Sequence, residues 1–212
     1  MIFGIGADSG KSAAWALVSV EKGRLAQLHA LEPIFGVRME LWAERAREGA
    51  EKVHRMAPEA AWWVERPPPR VQKDSHMAHH ATGVGLGIRI GVLATCAHRA
   101  SGRWPGDCEP GHLSPEQLEH DQAKPVHLRR ASGHPHWWWY LGPKLILRAK
   151  TDEDHGNGVE RIREASVAVV GAKEALAAVP EGRRVDCAES ILIATARALA
   201  TMIEQRDAAR RA

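Results

Sequence analysis

The chain has 212 residues, 44% hydrophobic and 26% charged, which excludes a fibrous or wholly disordered protein and suits one domain able to bury a core. Its net charge of +3 is too mild to establish a polyanion partner. The longest apolar runs fall short of the ~20 residues that span a bilayer, so no membrane contact is expected.

No basic segment precedes the first apolar run, so no signal peptide is expected. Three cysteines (Cys96, Cys108 and Cys187) without CxxC spacing fit a reducing, cytoplasmic setting. Charge is spread unevenly. Residues 89–150 carry 9 basic and 5 acidic side chains, with six His and four of the eight Trp. A basic stretch rich in Trp and His suits a nucleic-acid contact surface, although an ordinary solvated surface explains the charge more simply.

In chain order, the opening reads as a β-meander. Ile2 to Gly6 is an apolar run ending at the turn-like Asp8-Ser9-Gly10; Ala14 to Val20 and Leu25 to Leu31 follow, and Pro33 closes the third run. Between Met39 and Met56, Trp42, Ala46, Ala50 and Val53 recur at three- and four-residue steps, predicting an amphipathic helix that Pro58 ends. Ala60 to Val64 reads as a buried strand with Glu65 at its end, and Pro67-Pro68-Pro69 extends the exit. A helix is expected from His76 to His98, where Gly83, Gly85, Gly87 and Gly91 either weaken it or admit a neighbouring backbone. Residues 100–125 read as a loop insertion and Val126 to Leu128 as a strand, followed by the aromatic run Trp137 to Tyr140. Two helices, Val159 to Val179 and Asp186 to Gln205, close the chain. This order predicts one α/β domain over residues 1–212 with a mixed sheet.

Four carboxylates stand out. Asp8 and Glu65 end strands, and Asp186 and Glu189, three apart, share one face at the start of the last helix. Converging acids in apolar surroundings need cations. Oxygen donors of this kind suit Mg²⁺ or Mn²⁺, and two such ions can activate water and stabilise a leaving oxygen in phosphodiester hydrolysis. Each acid also has a plain structural role open to it. Asp8 could start a turn, Glu65 could pair with Arg66 or Arg70, and Asp186 with Glu189 could form a capping box.

These stretches resemble the motifs of RuvC-like Holliday-junction resolvases. Gly4 to Val18 is similar to the first motif, an apolar strand, an Asp-centred turn and a Trp-Ala-hydrophobic strand. Ala60 to Pro67 resembles the second motif, and Arg184 to Ala194 the last, an acid pair opening a helix of small apolar residues. Ala78 to Gly87 is similar to the central helix. Ser9, Ala14 and Glu189 depart from the usual Pro, Gly and Asp. The resemblance implies an RNase H-like fold with a mixed five-stranded sheet flanked by helices. It further implies a homodimer, branched DNA as partner, two Mg²⁺ (Mn²⁺ substituting) held by Asp8, Glu65, Asp186 and Glu189, and paired nicking of four-way junctions. The cysteine usage leads to the expectation of a cytoplasmic protein, and the 100–125 insertion would suit a bacterial or phage-encoded one. Lys11, Arg66, Arg70, Lys73, Arg129, Arg130, Lys144 and Lys150 are the candidate DNA contacts, and Lys144 or Lys150 could also assist proton transfer.

Other readings compete. Gly10-Lys11-Ser12 approaches a phosphate-binding P-loop, although Ile5 stands where its first Gly belongs, which would make the protein an NTPase. A sugar-kinase-type ATPase would need a second lobe. A DNA-binding module without catalysis would leave the acids structural. A zinc site from Cys96, Cys108, His112 and His120 lacks a second closely spaced ligand pair.

Overall fold

The strands Ile2–Ala7 (β1), Ala14–Val20 (β2) and Ala26–Pro33 (β3) form the antiparallel meander, with Ala7 opposite Trp15 and Ala14 opposite Pro33. The computed structural model describes residues 1–21, 24–36, 38–65, 76–108 and 158–211. Helix α1 (Met39–Met56) leads to β4 (Ala61–Glu65), which pairs parallel to β1; α2 (His76–Ser101) then leads to β5 (Gly106–Cys108), parallel to β4. Beyond these come α3 (Gly158–Ala168), β6 (Val169–Val170), α4 (Ala172–Ala177), a single 3-10 turn at Glu181–Arg183 and α5 (Arg184–Ala209). The sheet order is β5-β4-β1-β2-β3-β6. Five strands make the mixed sheet that the motifs implied, and the two-residue β6 extends its edge.

Helices cover both faces, and β2 divides its side chains between them by simple alternation. Ala14, Ala16, Val18 and Val20 pack with Ala165, Leu176, Ile191, Leu192 and Leu199 from α3, α4 and α5. Trp15 and Leu17 pack on the other face with Trp42, Ala46, Ala50 and Val53 of α1 and with Leu93 and Ala97 of α2. Trp15 and Trp62 meet edge to face, 5.1 Å between ring centroids, and the Trp15 indole donates to the Ala46 carbonyl at 2.7 Å. Trp42 lies on the apolar face of α1, as its spacing predicts. Trp63 is only half-buried, with the Arg197 guanidinium 5.3 Å over its ring.

Gly4 and Gly6 decide how close α5 can come. A Cβ on Gly4 would run into the backbone of Ala194 and Ala198, and one on Gly6 into the backbone of Ala194. Main chain therefore rests on main chain along the centre of the sheet. The small residues Ala188, Ala194 and Ala198, all fully buried, make the same contact from the helix side.

The structure corrects two expectations. The helix foreseen from Val159 to Val179 is interrupted. Val169 and Val170 pair parallel with Ala26 and Gln27, and Gly171 at φ 85° turns the chain into α4. Two β-branched residues before a left-handed glycine favour this break. The region read as a loop from 100 to 125 begins with the last two residues of α2, Ala100 and Ser101, and then holds β5. Gly106 carries that pairing, because a side chain there would meet the Trp63 indole at 2.8 Å. The strand expected at Val126 to Leu128 and the run Trp137 to Tyr140 lie outside the described residues. Among the described residues, no helix is long and apolar enough to cross a membrane.

Candidate metal centre

β1 ends at Ala7, so Asp8 emerges at the carboxyl end of the central strand; Ala7 is in register with Val64, which sets Glu65 beside it at the end of β4. Both acids are only 3% exposed. Because α5 lies directly on β1, its first two turns reach the same end of the sheet. Asp186 and Glu189 there are half-buried. The result is a cluster in which one carboxylate oxygen each from Asp8, Asp186 and Glu189 all lie within 4.8 Å of one another. Glu65 stands on the adjacent strand and is not within that trio.

Hydrogen bonds tie two of the three, Asp8 and Asp186, to each other's segments and to the turn after β1. Asp8 N–H donates to Ser190 Oγ at 3.1 Å, and that hydroxyl donates to the Asp186 carbonyl at 3.0 Å. Gly10 N–H donates to Asp8 Oδ2 at 2.9 Å, and Ser12 N–H donates to Asp186 Oδ2 at 3.0 Å. A Cβ at Gly10 would sit 2.6 Å from Asp8 Oδ2 and 2.7 Å from Asp186 Oδ2, so only glycine lets the turn lie against both acids. The capping-box alternative for Asp186 does not hold. Arg183 occupies the N-cap of α5 without a side-chain cap bond, while Asp186 bonds across the sheet to the β1–β2 turn.

The turn is pinned from several sides. Arg89 Nε on α2 donates to the Ser9 carbonyl at 3.0 Å, and Trp42 Nε1 donates to the Lys11 carbonyl at 3.3 Å. The Cys187 thiol lies 3.9 Å from the Ser12 carbonyl. Lys11 is thereby held with its side chain exposed. This geometry removes the P-loop reading. The N–H groups of Gly10 and Ser12 are bonded to carboxylates instead of lining an anion cradle, and the residues after Ser12 enter a strand, where a P-loop opens a helix.

Three carboxylates this close repel one another unless a cation or shared protons separate them. The donor set is all oxygen. The nearby Cys187 thiol is pushed up to about 12, chiefly by burial and then by Asp186 and Asp8, and its sulfur is not among the clustered ligand atoms. Hard divalent cations such as Mg²⁺ or Mn²⁺ fit these residues.

Of the candidate DNA contacts, Lys11 borders the cluster; Arg66, Arg70, Lys73, Arg129, Arg130, Lys144 and Lys150 lie outside the described residues. Cys96 of the zinc alternative is buried in the core between sheet and α2, and the side chains of Cys108, His112 and His120 lie outside the described residues. Sequence reading missed Ser190 and Arg89. Ser190 follows Asp186 by one helical turn, and Arg89 is the one charged residue between Ala81 and Ala97.

No protein-family model matches the sequence, and no curated protein matches it significantly. Solved structures do. One described as "T. thermophilus RuvC in complex with Holliday junction substrate" is 15% identical with a TM-score of 0.54, covering 96% of this chain and 97% of that one. Another, "Thermus thermophilus RuvC structure", is 16% identical with a TM-score of 0.51, covering 94% and 95%. The chain therefore has the RNase H-like fold seen in RuvC, as its motifs implied.

Proposed function

We propose that this protein is a divalent-metal-dependent, structure-selective DNA endonuclease that resolves four-way junctions by paired nicks. The observation that carries the reading is the convergence of Asp8, Asp186 and Glu189 within 4.8 Å, in a fold shared with a RuvC structure whose description includes a Holliday junction substrate. Asp8, Glu65, Asp186 and Glu189 would hold two Mg²⁺ ions, with Mn²⁺ able to substitute. When bound, such ions activate water and stabilise the leaving oxygen of a phosphodiester. The chain's own part is to hold the acids still: the Gly10 and Ser12 amides fix the Asp8 and Asp186 carboxylate oxygens, and Ser190 links the backbones of the two residues, before substrate arrives. Lys11, exposed at the turn, supplies a cation for the DNA backbone.

Paired nicks require two sites in one particle, and α2 offers a surface for a second copy. Val84, Gly87, Ile88, Gly91 and Thr95 form an exposed, uncharged stripe at helical spacing. A Cβ at Gly87 or Gly91 would meet nothing within 4 Å, so another backbone can approach closely there. The expected assembly is a homodimer through this stripe.

The reading is tested by incubating four-way, flap and linear DNA with the protein and Mg²⁺. Cleavage should favour the four-way junction, stop on chelation and return with Mn²⁺. Asp8→Asn should abolish cutting while junction affinity stays within a few-fold. Undiminished cutting by that variant would sink the assignment.

A further inference from the structure

Arg89 is a lone guanidinium in an otherwise apolar, glycine-rich length of α2, half-buried and reaching the residue next to Asp8. Keeping a cation there has a desolvation cost, which a purely packing residue such as Leu or Met would avoid. Its Nε is committed to the Ser9 carbonyl, so the planar group is oriented by that one bond. Its two terminal nitrogens carry the remaining donors of a fork suited to phosphate. Its neighbours in the helix supply no competing polar group: Ile88 and Ile90 flank it, and Gly85 and Gly87 leave room beside it.

From this geometry we infer that Arg89 binds one backbone phosphate of the DNA strand at the carboxylate cluster and, through Ser9, positions the turn that carries Asp8. The inference rests on the nuclease reading and assigns it a phosphate-binding residue on α2. It also ties the helix carrying the proposed dimer stripe to the catalytic turn, because Ile88 on that stripe directly precedes Arg89.

The test compares Arg89→Gln, whose amide still offers the Ser9 carbonyl a donor, with Arg89→Lys, which keeps the charge. Four-way junction binding is measured in metal-free buffer between about 50 and 200 mM salt, where each phosphate contact contributes to the slope of log affinity against log salt. Arg89→Gln should flatten that slope by about one and raise KM, and Arg89→Lys should restore the slope. Thermal melts establish that both variants are folded. A slope in folded Arg89→Gln equal to that of the wild type overturns the phosphate assignment, as does equal flattening in both variants. Wild-type protein that neither binds nor cuts branched DNA overturns the nuclease reading itself; cutting by wild type with an unchanged Arg89→Gln slope overturns the Arg89 assignment alone.

Discussion

At the scale of single residues, the candidate site depends on atoms that are missing as much as on those present. A methyl group at Gly10 would press on Asp8 Oδ2 and Asp186 Oδ2 together. Gly10→Ala should therefore lower Mg²⁺-dependent cleavage by about 10²-fold, the scale of a small misplacement of reacting groups, with little change in melting temperature. Comparing single-turnover rates with melts separates the two effects. His29 makes a different prediction. It shares a 2.7 Å hydrogen bond with Ser19 and stacks obliquely on Phe3, and burial holds its pKa below the ordinary value. The unfolded chain then takes up this proton more readily than the folded one, so stability is full above about pH 6.5 and falls below it. Denaturant midpoints at several pH values should fall less steeply on the acid side in His29→Gln than in the wild type.

At the scale of elements, the contact between β1 and α5 sets the distance between Asp8 and Asp186. Gly6→Ala puts a methyl against the Ala194 backbone, which cannot rotate away. Overpacking of this kind costs about 1–3 kcal/mol, sometimes more, and urea unfolding should register it. Because α5 must lift off the strand, cleavage should fall as well. Part of this architecture is legible in the amino-acid sequence. Helix α1 runs from Met39 to Met56 as the Trp42–Val53 spacing and Pro58 require, and Asp8, Asp186 and Glu189 are recognisable as a strand-end acid and an i, i+3 pair. What stays hidden depends on partners distant in sequence. β5 is three residues long, too short for any periodicity, and exists because Gly106 fits beside Trp63. Val169 and Val170 satisfy a helical pattern equally well until Ala26 and Gln27 offer them a strand to join. Arg89 and Ser190 show their meaning only once helices α2 and α5 are laid against the turn after β1.

At the scale of the whole molecule, the exposed stripe on α2 bears on assembly. Ile88→Asp puts a charge at its centre, where Val84, Gly87 and Gly91 provide no counter-ion. If the proposed dimer forms through this stripe, light scattering should show it falling to monomer, with each monomer still folded. On a four-way junction, the paired nicks should then become single, uncoupled ones. A variant that remains dimeric would place the interface on another face.

The hydrogen bond from Asp8 N–H to Ser190 Oγ joins residues 182 positions apart, and it has a consequence for the protein's own synthesis. A growing chain presents Asp8 and the turn after it early, but the other two members of the trio are translated far later, within α5. Until that helix leaves the ribosome and settles on β1, no complete carboxylate cluster exists. A nuclease of the proposed kind would thus stay inert during its synthesis until α5 has docked on β1.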